Sequence, residues 1–145
     1  MGIEIFGWIE IAKHPPDGRG WTGVVALGSL VDQADEVSNA LFGFGRVPGT
    51  IVPVAARRGL PRDPSPDVQR DVQEIRKFIQ EHGDEQFLGF TYIRYEEVMS
   101  ADLKAFGIKK LSSSDWALVF GLIDRIRATE RLSRASIRIV CWAFC

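Results

Sequence analysis

The two ends of the chain alternate between apolar and other side chains, which is the period-two pattern of β-strands. Residues 3–11 place β-branched side chains at alternate positions, and residues 136–144 repeat the alternation. Because these two segments are the most apolar of the predicted strands, we expect both terminal strands to be central and adjacent in one sheet. Glu4 and Glu10 fall on the other face of the first strand, and we expect them at the ends of an exposed face.

Two further segments predict additional strands. Residues 14–18 (His-Pro-Pro-Asp-Gly) are a strong turn signal, because proline fixes φ and glycine tolerates positive φ. A strand over residues 21–30 follows, most simply as the hairpin partner of the first strand. Another strand is predicted over residues 86–93.

Apolar side chains at helical spacing predict three amphipathic helices, over residues 32–44, 66–82 and 116–129. Ser65 and the proline after it are a typical start for the second helix, and Gly83 ends it. Residues 112–115 (Ser-Ser-Ser-Asp) resemble a capping box ahead of the third. A short helix is also predicted over residues 94–103.

Strands at both ends of the chain with helices between them predict an α+β fold. We expect a single domain over residues 1–145, with a mixed, mainly antiparallel sheet that includes both terminal strands and with three to four helices. Residues 45–64 are rich in glycine and proline and predict a long irregular excursion. Long loops in compact domains are often functional.

Composition narrows the function classes. A net charge of −1 argues against binding of duplex nucleic acid, which needs a basic surface. No apolar run approaches the roughly 20 residues of a membrane span, and the N-terminus lacks a signal-peptide pattern. Cys141 and Cys145 are four positions apart on a predicted strand, too far apart for a disulfide, so we expect a reduced intracellular protein.

The basic residues suggest one ligand site. The chain has 13 Arg and 5 Lys, and the segment from Arg46 to Arg62 holds four arginines and no acid. Arginine offers a rigid fork that suits phosphate. We therefore predict Arg57 and Arg58 as phosphate contacts, Arg46 as a second clamp and Phe44 as a stacking surface. The alternative is a solvated loop whose arginines pair with nearby acids, namely Asp63, Asp67 and Asp71.

The terminal strands carry a second candidate surface. Phe6 and Trp8 share a face of the first strand, and Trp142 lies on the more polar face of the last. If the strands are neighbours, both tryptophans line one surface with Arg138 at its edge, and Trp8 is a second candidate for stacking. Such a platform suits a planar heterocycle or a protein partner. The alternative is a face covered by helices, where these residues are core.

Catalytic signatures are missing from the sequence. Neither histidine lies beside a nucleophile, and no group of Cys and His has the spacing of a zinc site. Gly43 and Gly45 do not form a dinucleotide fingerprint, because they follow a helix and the third glycine is absent. We expect no cofactor and no catalytic residue.

Five segments together resemble a widespread family of small phage and prophage proteins: Glu4–Phe6, Leu41–Arg46, Arg58–Asp63, Leu88–Thr91 and Ile137–Trp142. The Arg-Gly-Leu-Pro element and the last strand are the most specific of them. The histidines of the family pattern are here replaced by Phe6, Leu88 and Phe90. Any metal or acid–base role of those histidines is therefore lost in this chain, which leaves arginine, glycine and aromatic side chains.

The resemblance implies a phage-type binding protein of the bacterial cytoplasm. The preferred hypothesis is a non-catalytic counter-defence protein that sequesters a nucleotide-derived signal of the cyclic nucleotide class. We expect a homo-oligomer, because two copies of a short Arg loop can enclose a ligand that one copy cannot. One alternative is a protein–protein inhibitor or immunity-like module with a host protein as partner. Another is a degenerate hydrolase or nuclease relative.

Overall fold

The computed structural model describes residues 2–13, 20–45 and 52–145. Within these ranges the chain forms four strands and four α-helices, in the order β1 (Glu4–Ile11), β2 (Thr22–Ala26), α1 (Glu36–Phe42), α2 (Pro66–His82), β3 (Phe87–Arg94), α3 (Tyr95–Ser100), α4 (Asp115–Glu130) and β4 (Ile137–Phe144). The predicted turn over residues 14–18 lies outside the described residues. The α+β prediction is confirmed.

The four strands form one sheet in the order β2-β1-β4-β3. Every neighbouring pair is antiparallel, and β1 pairs with β4 from Glu4 opposite Phe144 to Ile11 opposite Ile137. The terminal strands are therefore central and adjacent, as predicted. This position suits their composition, because a central strand is covered on both faces and its side chains are buried.

Helices cover both faces of the sheet. The even-numbered face of β1 packs on α2 through an apolar cluster that contains Val68, Val72 and Trp142. The other face, which carries Ile5 and Ile139, packs on side chains of α1, α3 and α4. The result is a three-layer arrangement with the sheet in the middle.

The helix ends follow the expected chemistry, with one correction. The Ser65 hydroxyl accepts a hydrogen bond from the Val68 N–H, so α2 begins as predicted. The capping box predicted over residues 112–115 is wrong in register, because Ser114 caps α4 and accepts from the Trp116 N–H. Its hydroxyl also donates to the carboxylate of Asp35, which is the cap of α1, so the two helix starts are joined.

The two cysteines are both free, as expected. Cys141 is buried in the central strand, and burial raises the pKa of its thiol well above the ordinary value. Cys145 is exposed.

Candidate functional site

Three separate segments meet around a concavity of about 430 Å³, which we call the Arg57 pocket. Its lining residues come from the end of α1, the turn after residue 54 and the start of β3: Phe42, Gly43, Phe44, Arg57, Gly59, Leu88, Gly89 and Phe90. A volume in this range is typical of small-molecule sites, which span about 300–1,000 Å³. The pocket brings together two predicted ligand residues, Arg57 and Phe44.

The first wall is the C-terminal end of α1. Gly43 adopts a left-handed φ of 70° and closes the helix by donating its N–H to the Asn39 carbonyl. A Cβ at Gly43 would lie 2.9 Å from the ring of Pro53, so the close approach of this loop also requires glycine. The N–H groups of Val54 and Ala55 then bond two carbonyls of α1, which fixes the turn against the helix.

The second wall is the turn that carries Arg57. Arg57 has φ of 56°, a left-handed conformation that costs a residue with a Cβ roughly 1–2 kcal/mol. Gly59 donates its N–H to the Phe90 carbonyl at 3.0 Å, which attaches the turn to the edge of β3. Such strain persists only where its surroundings impose it, and it often occurs at functional sites.

The third wall is an irregularity in β3. The pairing of β3 with β4 shifts register between Phe87 and Phe90. Gly89, inside this interval, has φ of 99°, which side-chain-bearing residues rarely adopt. Leu88 in the same interval is exposed, and the Phe90 carbonyl at its end accepts the N–H of Gly59 in the turn.

The pocket combines one cation with aromatic rings. Arg57 is the only charged side chain among the described residues that line it, and it makes no ion pair with any described carboxylate. Half-buried Phe44 stacks on buried Phe42, with centroids 5.8 Å apart and planes inclined by 30°. Phe44 is therefore held in place by a ring that is itself part of the core.

One electrostatic effect opposes an anion here. The end of α1 carries partial negative charge, an effect of about 0.3–1 kcal/mol near a helix terminus. Its carbonyls at Asn39, Ala40 and Leu41 already accept hydrogen bonds, which reduces that charge. A charge-assisted hydrogen bond from Arg57 is worth about 1.5–3 kcal/mol, so attraction exceeds repulsion.

Arg58 does not line this pocket, and its two terminal guanidinium nitrogens are held by internal partners. Its guanidinium makes two hydrogen bonds to the Glu97 carboxylate, at 2.8 and 2.7 Å, and also donates to the carbonyls of Val54 and Tyr92. It lies at a larger, open concavity of about 800 Å³, where the other arginine, Arg94, lies 3.8 Å from the Glu96 carboxylate. These contacts assign Arg58 to the scaffold: it ties the turn to β3 and α3.

Arg138 is also engaged by internal partners. It pairs with buried Glu10, donates to the Asp63 carboxylate at 2.9 Å and stacks 3.9 Å above the Trp21 ring. Glu10 also accepts from the Ser65 N–H at 2.7 Å. The expectation that Glu10 lies on an exposed face is therefore wrong: α2 and the preceding loop cover that part of the sheet. The alternative hypothesis paired Asp63 with an arginine of the 46–62 segment, whereas here Asp63 pairs with Arg138.

Trp8 lies in a different place from Arg57. A groove of about 330 Å³, the Trp8 groove, lies between the sheet and α2, and ten residues line it: Phe6, Gly7, Trp8, Ala26, Gly28, Asp71, Glu74, Ile75, Trp142 and Phe144. The indole N–H of Trp8 donates to Asp71 at 2.7 Å. The groove and the Arg57 pocket share no lining residue. The face is thus mostly core, with an aromatic strip left open.

The remaining candidate, Arg46, lies outside the described residues. Leu88, Gly89 and Phe90 were not among the predicted site residues, although the segment that resembles the phage family includes them. A glycine inside a strand pattern was the available signal, since it often marks a bulge or a close backbone approach.

No protein-family model, curated protein or solved structure matches this chain. None of the helices in the described ranges has the length and apolar character needed to span a membrane.

Proposed function

We propose that this protein is a non-catalytic binding protein for a small anionic ligand of the nucleotide class, held in the Arg57 pocket. The observation that carries the proposal is an arginine without a carboxylate partner among the described residues, placed beside a fixed aromatic ring in a concavity. A phosphate matches the guanidinium fork, and a base matches the ring of Phe44.

The affinity expected of one copy follows from these two contacts. A charge-assisted bond contributes about 1.5–3 kcal/mol and a stacked base about 1–3 kcal/mol. Their sum corresponds to a dissociation constant of tens of micromolar at the tightest. Tighter binding requires further contacts, and a second copy of the chain in the predicted homo-oligomer is one source of them.

The chemistry of the lining favours binding over turnover. The described lining residues are glycine, leucine, phenylalanine and one arginine. None of these supplies a nucleophile or a general base near neutral pH. Two residues that replace histidines of the family pattern, Leu88 and Phe90, lie in this lining. Capture of a cyclic nucleotide signal without hydrolysis, as in phage counter-defence, is the role we propose.

A thermal-shift panel tests the proposal. It compares cyclic di- and trinucleotides, a linear nucleotide, the matching nucleoside without phosphate, and inorganic phosphate. A ligand at 100 times its dissociation constant stabilises the fold by about 2.7 kcal/mol, which is a rise in Tm of roughly 5–10 °C for a chain of this size. We expect phosphate-bearing nucleotides to raise Tm and the nucleoside to have little effect.

Two results would contradict the proposal. If no nucleotide changes Tm, the nucleotide class is wrong. If chromatography shows hydrolysis products after incubation, the protein is an enzyme, and the hydrolase or nuclease alternative replaces the proposal. Sedimentation velocity with and without the ligand tests the homo-oligomer separately.

A further inference from the structure

The Trp8 groove has the composition of a cation site and is independent of the Arg57 pocket. Four aromatic side chains line it together with two carboxylates: Phe6, Trp8, Trp142, Phe144, Asp71 and Glu74. Among the described lining residues there is no basic side chain. Aromatic faces carry negative charge density, so rings and carboxylates here favour the same kind of guest.

The two carboxylates differ in their existing hydrogen-bond and ion-pair partners. Asp71 accepts the indole N–H of Trp8 and lies 3.8 Å from the guanidinium of Arg70, so it fixes the ring and is partly neutralised. Glu74 is exposed and makes no ion pair with any described residue. Glu74 is therefore the carboxylate that remains available to an incoming cation.

We propose that the Trp8 groove receives an arginine side chain of a partner protein. A guanidinium is planar, stacks on aromatic faces and bonds a carboxylate through two parallel donors, whereas an ammonium is a compact charge that keeps its water. The chain already holds one of its own arginines in this manner, because Arg138 stacks on Trp21 while it bonds Glu10 and Asp63.

One lining position of the groove, Gly28, carries no side chain. Gly28 is exposed, and a Cβ there would meet only the ring of Phe6, at 3.6 Å, an ordinary contact distance. Its φ lies outside the left-handed range, so a larger residue is accepted without backbone strain. Gly28→Leu therefore adds an apolar side chain beside Phe6 that is expected to narrow the groove, and it leaves the aromatic and acidic residues unchanged.

The test is a titration of the ¹⁵N-labelled protein with three tripeptide amides that differ only in the central residue: arginine, lysine or citrulline. Citrulline has nearly the shape of arginine and no charge. We expect the arginine peptide to shift the indole N–H signal of Trp8 in a saturable manner and the citrulline peptide to leave it in place. Glu74→Gln is expected to weaken the binding of the arginine peptide by up to about 5-fold. Gly28→Leu is expected to abolish the shift.

Each other outcome overturns the proposal. Equal shifts with citrulline would show that the groove binds apolar surface and not a cation. Tighter binding of the lysine peptide would show that the groove prefers an ammonium group to a guanidinium group. An arginine response that survives Gly28→Leu would place the peptide outside the groove, and an absent response in a folded protein would show that the groove has no such guest. Nucleotide binding at the Arg57 pocket is measured separately and is expected to be unchanged in both variants.

Discussion

Removal of the buried Arg138 guanidinium is expected to destabilise the fold strongly. Glu10 has no exposed surface, and without Arg138 its carboxylate retains only the Ser65 N–H. The lost bond to Glu10 is worth about 1.5–3 kcal/mol. Stacking on Trp21 adds about 0.5–2 kcal/mol, and the bond to half-exposed Asp63 adds up to about 1 kcal/mol. These contributions together give about 2–6 kcal/mol. Arg138→Met is expected to cost about 3–5 kcal/mol, the middle of that range and the usual cost of breaking a buried pair.

Urea unfolding followed by circular dichroism measures this cost. Arg125→Met is the matched control, since Arg125 is exposed and makes no ion pair with a described residue. Glu10→Gln removes the buried negative charge that Arg138→Met leaves without a partner. The double variant should therefore be less destabilised, by about 0.5–3 kcal/mol, than the sum of the two single variants. A loss below about 1 kcal/mol in Arg138→Met, equal to that of the control, would refute this reasoning.

Three further predictions concern groups away from the pocket. The hydrogen bonds from Arg58 lower the pKa of Glu97 below its ordinary value of 4.5. The stability that these bonds add is therefore full above pH 4.5 and is lost as the pH falls through the lowered pKa. The loss of unfolding free energy caused by Glu97→Gln should shrink between pH 7 and pH 3 in urea unfolding, and a loss that stays constant would contradict a stabilising Arg58–Glu97 pair. Burial, followed by the hydrogen bond to Asp124, raises the pKa of Tyr95 from 10 to about 12. Its contribution to stability is therefore full below pH 10 and is lost between pH 10 and 12, and absorbance titration should show a lower tyrosine pKa in Asp124→Asn. Arg131 caps α4 with φ of 53°, so Arg131→Gly should raise the free energy of unfolding by about 1 kcal/mol, whereas a loss would show that its side chain matters more than its backbone strain.

Much of the fold is predictable from local pattern. Alternation identifies the terminal strands, and their apolar character places them side by side at the centre of the sheet, which the pairing of β1 with β4 confirms. The start of α2 at Ser65 follows from capping chemistry alone. The ends of the elements are predicted less accurately. The strand predicted over residues 21–30 covers only Thr22–Ala26, and a short 3-10 helix follows it.

The burial of Glu10 shows why other features were not predictable. A strand-end glutamate is normally exposed, and its burial here depends on Arg138, which is 128 positions away in sequence. No local pattern contains that pairing. The same holds for the two adjacent arginines of the loop. Arg58 pairs with Glu97, whereas Arg57 makes no ion pair with a described carboxylate, and no local pattern distinguishes them.

The site was predictable in part. An arginine-rich, acid-free segment and an adjacent aromatic ring identified Arg57 and Phe44, which the structure brings to one pocket. The third wall, Leu88–Phe90, depends on a bulge in β3 and on the bond from Gly59 to Phe90, both set by tertiary contacts. Arg57 and Phe44 could be predicted from the sequence, but the pocket in which they meet could not.

The most direct test of the account is calorimetric titration of the nucleotide that gives the largest rise in Tm. It compares Arg57→Gln with Arg62→Gln, a variant of an exposed arginine in the same loop that does not line the pocket. Both substitutions remove one guanidinium, and the first keeps the backbone strain at residue 57. We expect Arg57→Gln to weaken binding roughly 10- to 100-fold and Arg62→Gln to change it less than about 3-fold. Equal affinities of the two variants would contradict the assignment of the ligand to the Arg57 pocket.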